Sequence, residues 1–543
     1  MRIYIANFGD SLRTISVAHD ICLEELIKLN PDVLSADQDI AGIQVKLPNH
    51  TRIYINKTKI PTCPEIPVYR EQWVPLTSLE QMEQTEYDVL IVGTGAGGGA
   101  VLWRLSEQWG NNGKRIGVVE AGDLLLPTNA QNIATLDPER LLKYYFSVGK
   151  SPLQYPSPQI YALGGRTLFW WTVSPRMHVS EIAGWPITVK EMEFYYKIAE
   201  RVMNVTQSFT KGSSITQTLL HRLQGNGFPE SMDEPLAVDL EPTKFGVVNS
   251  NAFFSSITFI AKAMNRPFDL AVKARGVQVL TEKEKVVGLK VMSPEKKPYF
   301  LKAKNVVLSA STFGTPHILL NSGIQGRAIG HYLSNHSRLS ATGKLIRSEF
   351  PEILGPLRIL IPGTENRPYQ FQILGPGNYE WVQFKEEPLS PELEVKFLCT
   401  GRVESRFENK FTLDPLRQDE YGIPEIQVHF NYSTRDEIVI QQMAETLKQI
   451  SSVMRVPLIS RGDRPAICLM PPGLEAHETG TCRMGDDPFT SATNRYGQIH
   501  GIKGLFVADN SVIPTSGTPN PTLTTVALAI RTSDYIIDQF KNC

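Results

Sequence analysis

The feature that most constrains the fold is an apolar segment that runs directly into a glycine-rich turn. Residues 87–92 are mostly apolar, and the next six residues are Gly93-Thr94-Gly95-Ala96-Gly97-Gly98. A helical stretch follows, and then a second apolar segment at 116–119 that ends in Glu120. Apolar segments of this length are typical of strands buried on both faces of a parallel sheet. The order predicts a Rossmann-type βαβ unit in a protein of the α/β class.

The residues of this unit match the requirements of a dinucleotide site. Gly93 allows the tight turn, Gly95 lets a pyrophosphate approach the backbone, and Gly98 allows close packing of helix on strand. Glu120 ends the second strand, where its carboxylate can accept both hydroxyls of an adenosine ribose. An acidic residue there favours FAD or NAD over NADP. The pattern alone leaves the choice between nicotinamide and flavin open.

Further segments resemble the signatures of the glucose-methanol-choline (GMC) oxidoreductases. They are Glu120-Ala121-Gly122, the glycine pair in residues 162–167, residues 306–316 with 319–324, the run 477–485 that opens with His477-Glu478-Thr479-Gly480, residues 504–509, and Asn520-Pro521-Thr522-Leu523-Thr524. The resemblance implies FAD as cofactor. It also implies a Rossmann-type FAD-binding domain with a substrate domain built on a mainly antiparallel sheet. Residues 184–187, 195–196 and 529–531 look most like the pyranose oxidase branch and bacterial glycoside oxidases.

The same resemblance implies a set of flavin contacts and one departure from them. The expected contacts are Gly164, Gly165, Thr167, Ala310, Asp509, Asn520 and Thr522. Several relatives carry a histidine near the glycine pair that bonds covalently to the flavin, whereas this chain has Phe169 four residues after the second glycine. A benzyl side chain has no nucleophilic atom, so we expect FAD to be held non-covalently. Trp170 and Trp171 follow, which indicates a changed pocket near the flavin.

The reaction that the resemblance implies needs a base. Oxidation of an alcohol transfers a hydride from carbon to flavin N5 while the hydroxyl proton leaves, and histidine suits that proton. His477 opens the C-terminal signature, and Asn520 takes the family's second position, where its amide binds the substrate oxygen. The alternatives are a core or capping histidine and a turn-forming asparagine before Pro521. His336 matches a family landmark that is usually structural.

The first fifty residues predict a separate small unit. A strand, two helices and a closing strand give a βααβ order, and the run Gly9-Asp10-Ser11-Leu12 with the Leu-Pro ending at 47–48 resembles a LysM repeat. An unrelated βααβ cap is the alternative. The predicted organisation is a LysM-like module at 1–50, a linker at 51–85, a FAD-binding domain at 86–345 and 463–543, and a substrate-binding domain at 346–462. Further substrate-side segments are expected as insertions within 86–345.

Charge and composition limit the partners and location. A formal net charge of -1 offers no field to attract nucleic acid or an acidic membrane surface. No segment reaches the ~18 apolar residues needed to cross a bilayer, and the first residues do not form a signal peptide. We therefore expect a cytoplasmic location, with association with a spore or cell envelope as the alternative. The six cysteines show no metal-ligand spacing, so we expect reduced thiols and no metal.

These observations predict FAD-dependent oxidation of an alcohol, sugar or glycoside hydroxyl, with oxygen or a quinone as electron acceptor. One alternative is a non-redox lyase on the same fold. Another is an envelope or spore-layer binding protein in which the LysM-like module acts and the flavin fold is vestigial. The module itself is expected either to bind glycan or to make packing or oligomer contacts.

Overall fold

The computed structural model describes residues 2–49, 74–133, 138–152, 155–241, 252–350, 355–376, 391–460 and 462–541. These residues fall into two compact units, one formed by 2–49 and the other by 74–541. Most of the predicted linker lies outside the described residues.

The first unit has the predicted βααβ order. Its elements are β1 (Arg2–Ile5), α1 (Leu12–His19), α2 (Leu23–Leu29) and β2 (Gln44–Leu47), and β1 pairs with β2 in an antiparallel manner. Ser11 caps α1 by accepting a hydrogen bond from the Thr14 N–H, which satisfies one of the free donors at that helix start. Leu12, Ile15 and Leu26 are buried in a small core of their own. The order is confirmed, and the LysM assignment stays a prediction.

The second unit contains the remaining elements. Its helices are α3 (Leu79–Glu83), α4 (Ala96–Trp109), α5 (Pro138–Val148), α6 (Val179–Ile182), α7 (Val189–Met203), α8 (Ser214–Gln224), α9 (Ile257–Ala263), α10 (Ser311–Asn321), α11 (Thr434–Met454) and α12 (Thr522–Lys541). Its strands are β3 (Glu86–Val92), β4 (Ile116–Val119), β5 (Val205–Thr206), β6 (Met232–Asp233), β7 (Leu236–Asp239), β8 (Ala252–Phe253), β9 (Asp269–Ala271), β10 (Arg275–Glu282), β11 (Lys285–Met292), β12 (Pro298–Leu308), β13 (His336–Ile346), β14 (Leu357–Ile361), β15 (Tyr369–Gly375), β16 (Glu392–Arg402), β17 (Lys410–Gln418), β18 (Pro424–His429), β19 (Leu458–Ile459), β20 (Ile467–Leu469) and β21 (Leu505–Val507).

A mixed sheet with a parallel centre confirms the Rossmann-type prediction. Strands β9, β4, β3, β12 and β21 run parallel in that order, and the β10–β11 hairpin extends the sheet antiparallel from β12. Helices α4 and α12 cover one face, where their apolar side chains join those of the strands in one core. The apolar segments at 87–92 and 116–119 are therefore buried on both faces, as their sequences predict.

The second large sheet is antiparallel, as the family resemblance implies. Its order is β19, β13, β16, β15, β14 and β6, and β20 also pairs with β13. One face is apolar and packs under α8 and α11. Strand β13 starts about ten residues before the predicted substrate segment at 346, and β20 comes after its predicted end at 462. Both belong to this sheet because β13 pairs with β16 along one edge and with β20 along the other.

No helix among the described residues has the length and apolar character required to cross a membrane.

Candidate active site

A cavity of about 780 Å³ lies between the two large sheets. On one side it is lined by the ends of β3 and β4, including Gly93, Gly95 and Glu120. On the other side it is lined by residues from the antiparallel sheet, including Arg338, Gln372 and Thr400, and by His477 and Asn520. The carboxyl ends of parallel strands are the usual ligand site of such folds, so this cavity is the candidate active site.

The glycine turn leaves room for a phosphate group at one position and packs tightly at another. A Cβ at Gly95, the N-cap of α4, would meet no atom within 4 Å. A Cβ at Gly98 would lie 1.9 Å from the Gly93 carbonyl oxygen, so only glycine allows this contact between helix and turn. The first residues of α4, Ala96 and Gly97, line the cavity with Gly95, and the N–H groups of a first helical turn have no intrahelical partners, which suits a pyrophosphate.

Glu120 is buried beside this turn, and its carboxylate is held by protein donors. Its Oε2 accepts hydrogen bonds from the Thr94 N–H at 3.0 Å and the Thr94 hydroxyl at 2.6 Å, and its Oε1 accepts from the Gly122 N–H at 2.9 Å. Burial raises the pKa of Glu120, and these hydrogen bonds oppose that shift. Oε2 already accepts two hydrogen bonds, whereas Oε1 accepts one and retains a lone pair, so the carboxylate can still accept a ribose hydroxyl through Oε1.

The other predicted cofactor residues divide between lining and support. Gly165, Thr167, Ala310, Asp509 and Thr522 line the cavity together with Gly93, Gly95 and Glu120, whereas Gly98 and Gly164 lie behind its wall. The Thr167 hydroxyl donates to the Gly164 carbonyl at 2.6 Å and accepts from the Ser256 N–H at 2.8 Å, so it already has protein partners. The Asp509 carboxylate accepts from the Ser311 N–H at 3.0 Å and the Thr315 hydroxyl at 2.5 Å, which ties the start of α10 to the end of β21.

His477 and Asn520 lie next to each other, 3.3 Å apart between His477 Nε2 and Asn520 Nδ2. On its other side, His477 Nδ1 lies 3.0 Å from Nδ1 of His336, and His336 Nε2 lies 3.4 Å from the Ser516 carbonyl oxygen. A carbonyl oxygen only accepts, so His336 Nε2 carries its proton and its Nδ1 is the acceptor. His477 therefore donates from Nδ1, and its unprotonated Nε2 accepts from the Asn520 amide at the cavity wall.

Both histidines are held in the neutral form. Burial lowers the pKa of His336 to about 4. Burial also lowers the pKa of His477 well below its ordinary value, and His336, Arg338 and Arg166 add to the shift by electrostatic repulsion. A neutral imidazole with an unprotonated Nε2 is the form that can take a proton.

The orientation of Asn520 is fixed by two glutamines of β15. Its Oδ1 accepts hydrogen bonds from Gln370 Nε2 at 3.1 Å and from Gln372 Nε2 at 2.6 Å. Both glutamines point to the same face of the sheet because they are two positions apart on a strand. With its oxygen occupied, the amide presents its N–H groups to His477 and to the cavity.

Three aromatic residues singled out in the sequence also line the cavity: Phe169, Trp170 and Trp171. Phe169 is buried against Tyr144 and Tyr145, with ring centroids 5.8 Å and 5.5 Å away. The Trp170 indole N–H donates to the Phe254 carbonyl at 2.7 Å. The position at which some relatives attach the flavin is therefore part of an aromatic wall.

Sequence reasoning missed several residues that complete the site. Thr94 joins Glu120 to the glycine pair, since its hydroxyl also accepts from the Gly164 N–H at 2.9 Å. His336 was interpreted as structural, yet it contacts His477 directly. Gln370 and Gln372 gave no signal beyond the alternating pattern of a strand. The alternation of polar and apolar residues along a strand shows which side chains share a face. It does not show whether the polar face lines a cavity or lies in solvent.

The fold and this cavity define a flavoprotein oxidoreductase with a separate substrate sheet, and comparisons with known proteins agree. Two family models described as GMC oxidoreductase match residues 151–338 and 405–529. The chain belongs to the GMC oxidoreductase family. It is therefore a FAD-dependent enzyme that oxidises CH–OH groups, and neither the lyase nor the vestigial-flavin alternative is favoured.

Three similar proteins illustrate the match. A C-glycoside 3-oxidase of Arthrobacter globiformis is 26% identical over 401 residues, covering 70% of this chain and 74% of that protein. A pyranose 2-oxidase of Tricholoma matsutake is 24% identical over 431 residues, covering 69% and 72%. Among solved structures, a formate oxidase variant of Aspergillus oryzae, studied for modification of its FAD, has a TM-score of 0.65 at 14% identity, covering 84% of this chain and 99% of that one. The last similarity concerns the fold alone.

Proposed function

We propose that this enzyme oxidises a secondary hydroxyl of a sugar or glycoside, with His477 as the base and Asn520 as the group that binds the substrate oxygen. The observation that carries the proposal is the pairing of a neutral His477 Nε2 with the Asn520 amide, 3.3 Å apart at the cavity wall.

His477 takes the hydroxyl proton. Its Nε2 has no proton because His336 fixes the opposite tautomer, and its low pKa keeps the ring neutral as the pH falls. The Nδ1–H bond to His336 then holds the ring in place while Nε2 receives the proton. General-base assistance of this kind contributes about 100- to 10,000-fold to rate.

Asn520 binds the oxygen from which the proton leaves. Its N–H groups face the cavity because Gln370 and Gln372 hold its oxygen. A neutral amide donor stabilises negative charge on the substrate oxygen as the carbonyl forms, and it does not compete with His477 for the proton.

FAD, when bound, supplies the acceptor for the hydride. We propose that Gly93, Gly95 and the start of α4 hold its pyrophosphate and that Glu120 binds the ribose. Gly98 and Gly164 would lie behind the cavity wall and keep the glycine turn in place. Gly165, Thr167, Ala310, Asp509 and Thr522 would line the flavin, and residues 86–345 with 463–543 would form most of the FAD-binding domain. Phe169 has no atom that can bond covalently to the cofactor, so FAD is held by these contacts.

A sugar or glycoside is favoured over other alcohols because the two curated relatives described above are named for oxidation of a glycoside and of a pyranose. We propose oxygen or a quinone as the electron acceptor. Following reoxidation of the substrate-reduced enzyme with air or with a soluble quinone decides between them.

The test is anaerobic mixing with sugars, glycosides and simple alcohols while the visible flavin absorbance is followed. We expect bleaching by at least one sugar or glycoside. His477→Ala should slow bleaching about 100- to 10,000-fold and Asn520→Ala about 10- to 1000-fold, both with FAD retained. His221→Ala, at an exposed position on α8, is the control. Near-normal bleaching in His477→Ala would show that another group is the base.

A further inference from the structure

Two ionisable side chains near His477, Glu475 and Arg338, line the cavity and carry buried polar atoms that lack a well-formed hydrogen bond. Glu475 is 7% exposed, and neither of its carboxyl oxygens has a hydrogen bond of good geometry within the described residues. Burial raises the pKa of Glu475 to about 8, which the nearby Arg338 and the backbone N–H groups of Glu475 and Gly473 only partly oppose. The Nε of Arg338 is likewise buried without a partner. Such groups cost free energy in the fold, so a ligand is the natural source of their missing bonds.

Arg338 lies on the sheet face that positions the catalytic pair. It is two residues after His336 on β13, so both side chains point to the same face. Across the sheet Arg338 is in register with Thr400, and Thr400 is in register with Gln370, which contacts Asn520. The guanidinium therefore borders the part of the cavity that adjoins the substrate oxygen.

Glu475 reaches the cavity from the other side through an unusual backbone. Ala476, between Glu475 and His477, has a φ of 56°, in the left-handed region that is strained for a residue with a Cβ. Glu475, Ala476 and His477 all line the cavity. Strained backbone of this kind persists where the surroundings fix it and is concentrated at functional sites. Here the left-handed backbone at Ala476 lets the Glu475 carboxyl and the His477 imidazole both line the same cavity.

We propose that Glu475 and Arg338 bind hydroxyl groups next to the oxidised carbon, and so make the enzyme specific for a sugar ring with vicinal hydroxyls over a simple alcohol. This inference rests on the proposed function. The two oxygens of one carboxyl group can accept hydrogen bonds from two neighbouring hydroxyls, and the guanidinium fork can donate to hydroxyl oxygens. Together they supply both kinds of partner that a sugar hydroxyl requires, and at least one of them is charged, which strengthens the bonds.

The test compares substrate preference in Glu475→Met and Arg338→Met, with Glu445→Met at an exposed position of α11 as the control. The measured quantity is kcat/KM for the best sugar divided by kcat/KM for a simple secondary alcohol such as 2-propanol, with FAD content checked by absorbance. We expect this ratio to fall about 10- to 100-fold in each cavity variant and to stay unchanged in the control. Should Glu475→Met fail to fold, Glu475→Asp retracts the carboxyl by one methylene and should lower the ratio about fivefold or more.

Deoxy versions of the same sugar provide a readout that a structural role would not change. At the ring position held by Glu475, removal of the hydroxyl should lower kcat/KM of the unaltered enzyme about tenfold or more. The same removal should lower kcat/KM of Glu475→Met much less. The proposal is overturned if both variants keep the ratio within threefold, or if the unaltered enzyme prefers the simple alcohol. Those results leave oxidation by His477 intact, whereas failure of every alcohol and sugar to bleach the flavin would reject the proposed function as well.

Discussion

Replacing His336 tests whether it sets the protonation of His477. In His336→Leu, the His477 Nδ1–H loses its acceptor at 3.0 Å and becomes a buried donor without a partner. Such a loss costs about 1 to 3 kcal/mol, and each 1.4 kcal/mol corresponds to a factor of ten. The tautomer with an unprotonated Nε2 is disfavoured by that amount, so we expect flavin reduction at saturating substrate to slow about 5- to 150-fold.

The assay is anaerobic stopped-flow bleaching of the flavin, with substrate deuterated at the reacting carbon to show that hydride transfer is being measured. His336→Gln is the matched variant, because its side-chain oxygen can accept the same hydrogen bond, and it should recover most of the rate. His221→Leu controls for loss of a histidine at an exposed site. Thermal unfolding reports any loss of stability, since His336 is fully buried. A His336→Leu enzyme that binds FAD and keeps its reduction rate within twofold would refute the tautomer argument.

Four further predictions concern separate parts of the chain. Since burial lowers the pKa of His477, the rate of flavin reduction at saturating substrate should stay level from pH 8 to pH 5.5. With a base of the usual histidine pKa near 6.5, that rate would fall about tenfold over the same range. A decline in rate centred near pH 6.5 would contradict this prediction. Glu120→Ala should weaken FAD binding about tenfold or more by removing a charge-assisted hydrogen bond to the ribose, with Glu282→Ala as an exposed control, and an unchanged titration of the apo-protein would count against it. Because Phe169 occupies the linkage position, acid or heat precipitation should release the FAD, and a washed pellet that stays yellow would disprove non-covalent binding. Deleting residues 1–50 should leave oxidation intact and alter the oligomeric state or solubility of the enzyme. If the full chain pellets with insoluble peptidoglycan and the shortened chain does not, the module binds glycan instead.

The parts of the fold that sequence predicts well are those set by local pattern. The apolar segment before Gly93 and the acid at Glu120 specify a βαβ unit because turn, helix and strand are neighbours in the chain. His477 and Asn520 were found through segments that resemble a family, and the structure brings them together. Their catalytic roles stay a prediction.

The partners of these residues could not be predicted because they come from distant strands. Gln370 and Gln372 lie about 150 positions before Asn520, and their polar side chains look like the solvent face of an ordinary strand. His336 faces His477 because Ser334, just before β13, pairs with Thr479 of the C-terminal segment. Glu475 gave no signal, since its lack of a partner is a property of three-dimensional surroundings and not of spacing.

The hydrogen-bonded chain from Asn520 through His477 and His336 ends at the Ser516 carbonyl oxygen, which gives it a direction. A backbone carbonyl has no proton to give and does not keep one, and the low pKa of His336 makes it a poor store of charge. In the proposed reaction, a proton taken up at His477 Nε2 therefore has no exit into the protein behind it. It must depart through the cavity by which the substrate entered, so the base is restored for the next turnover only once the ketone has moved aside.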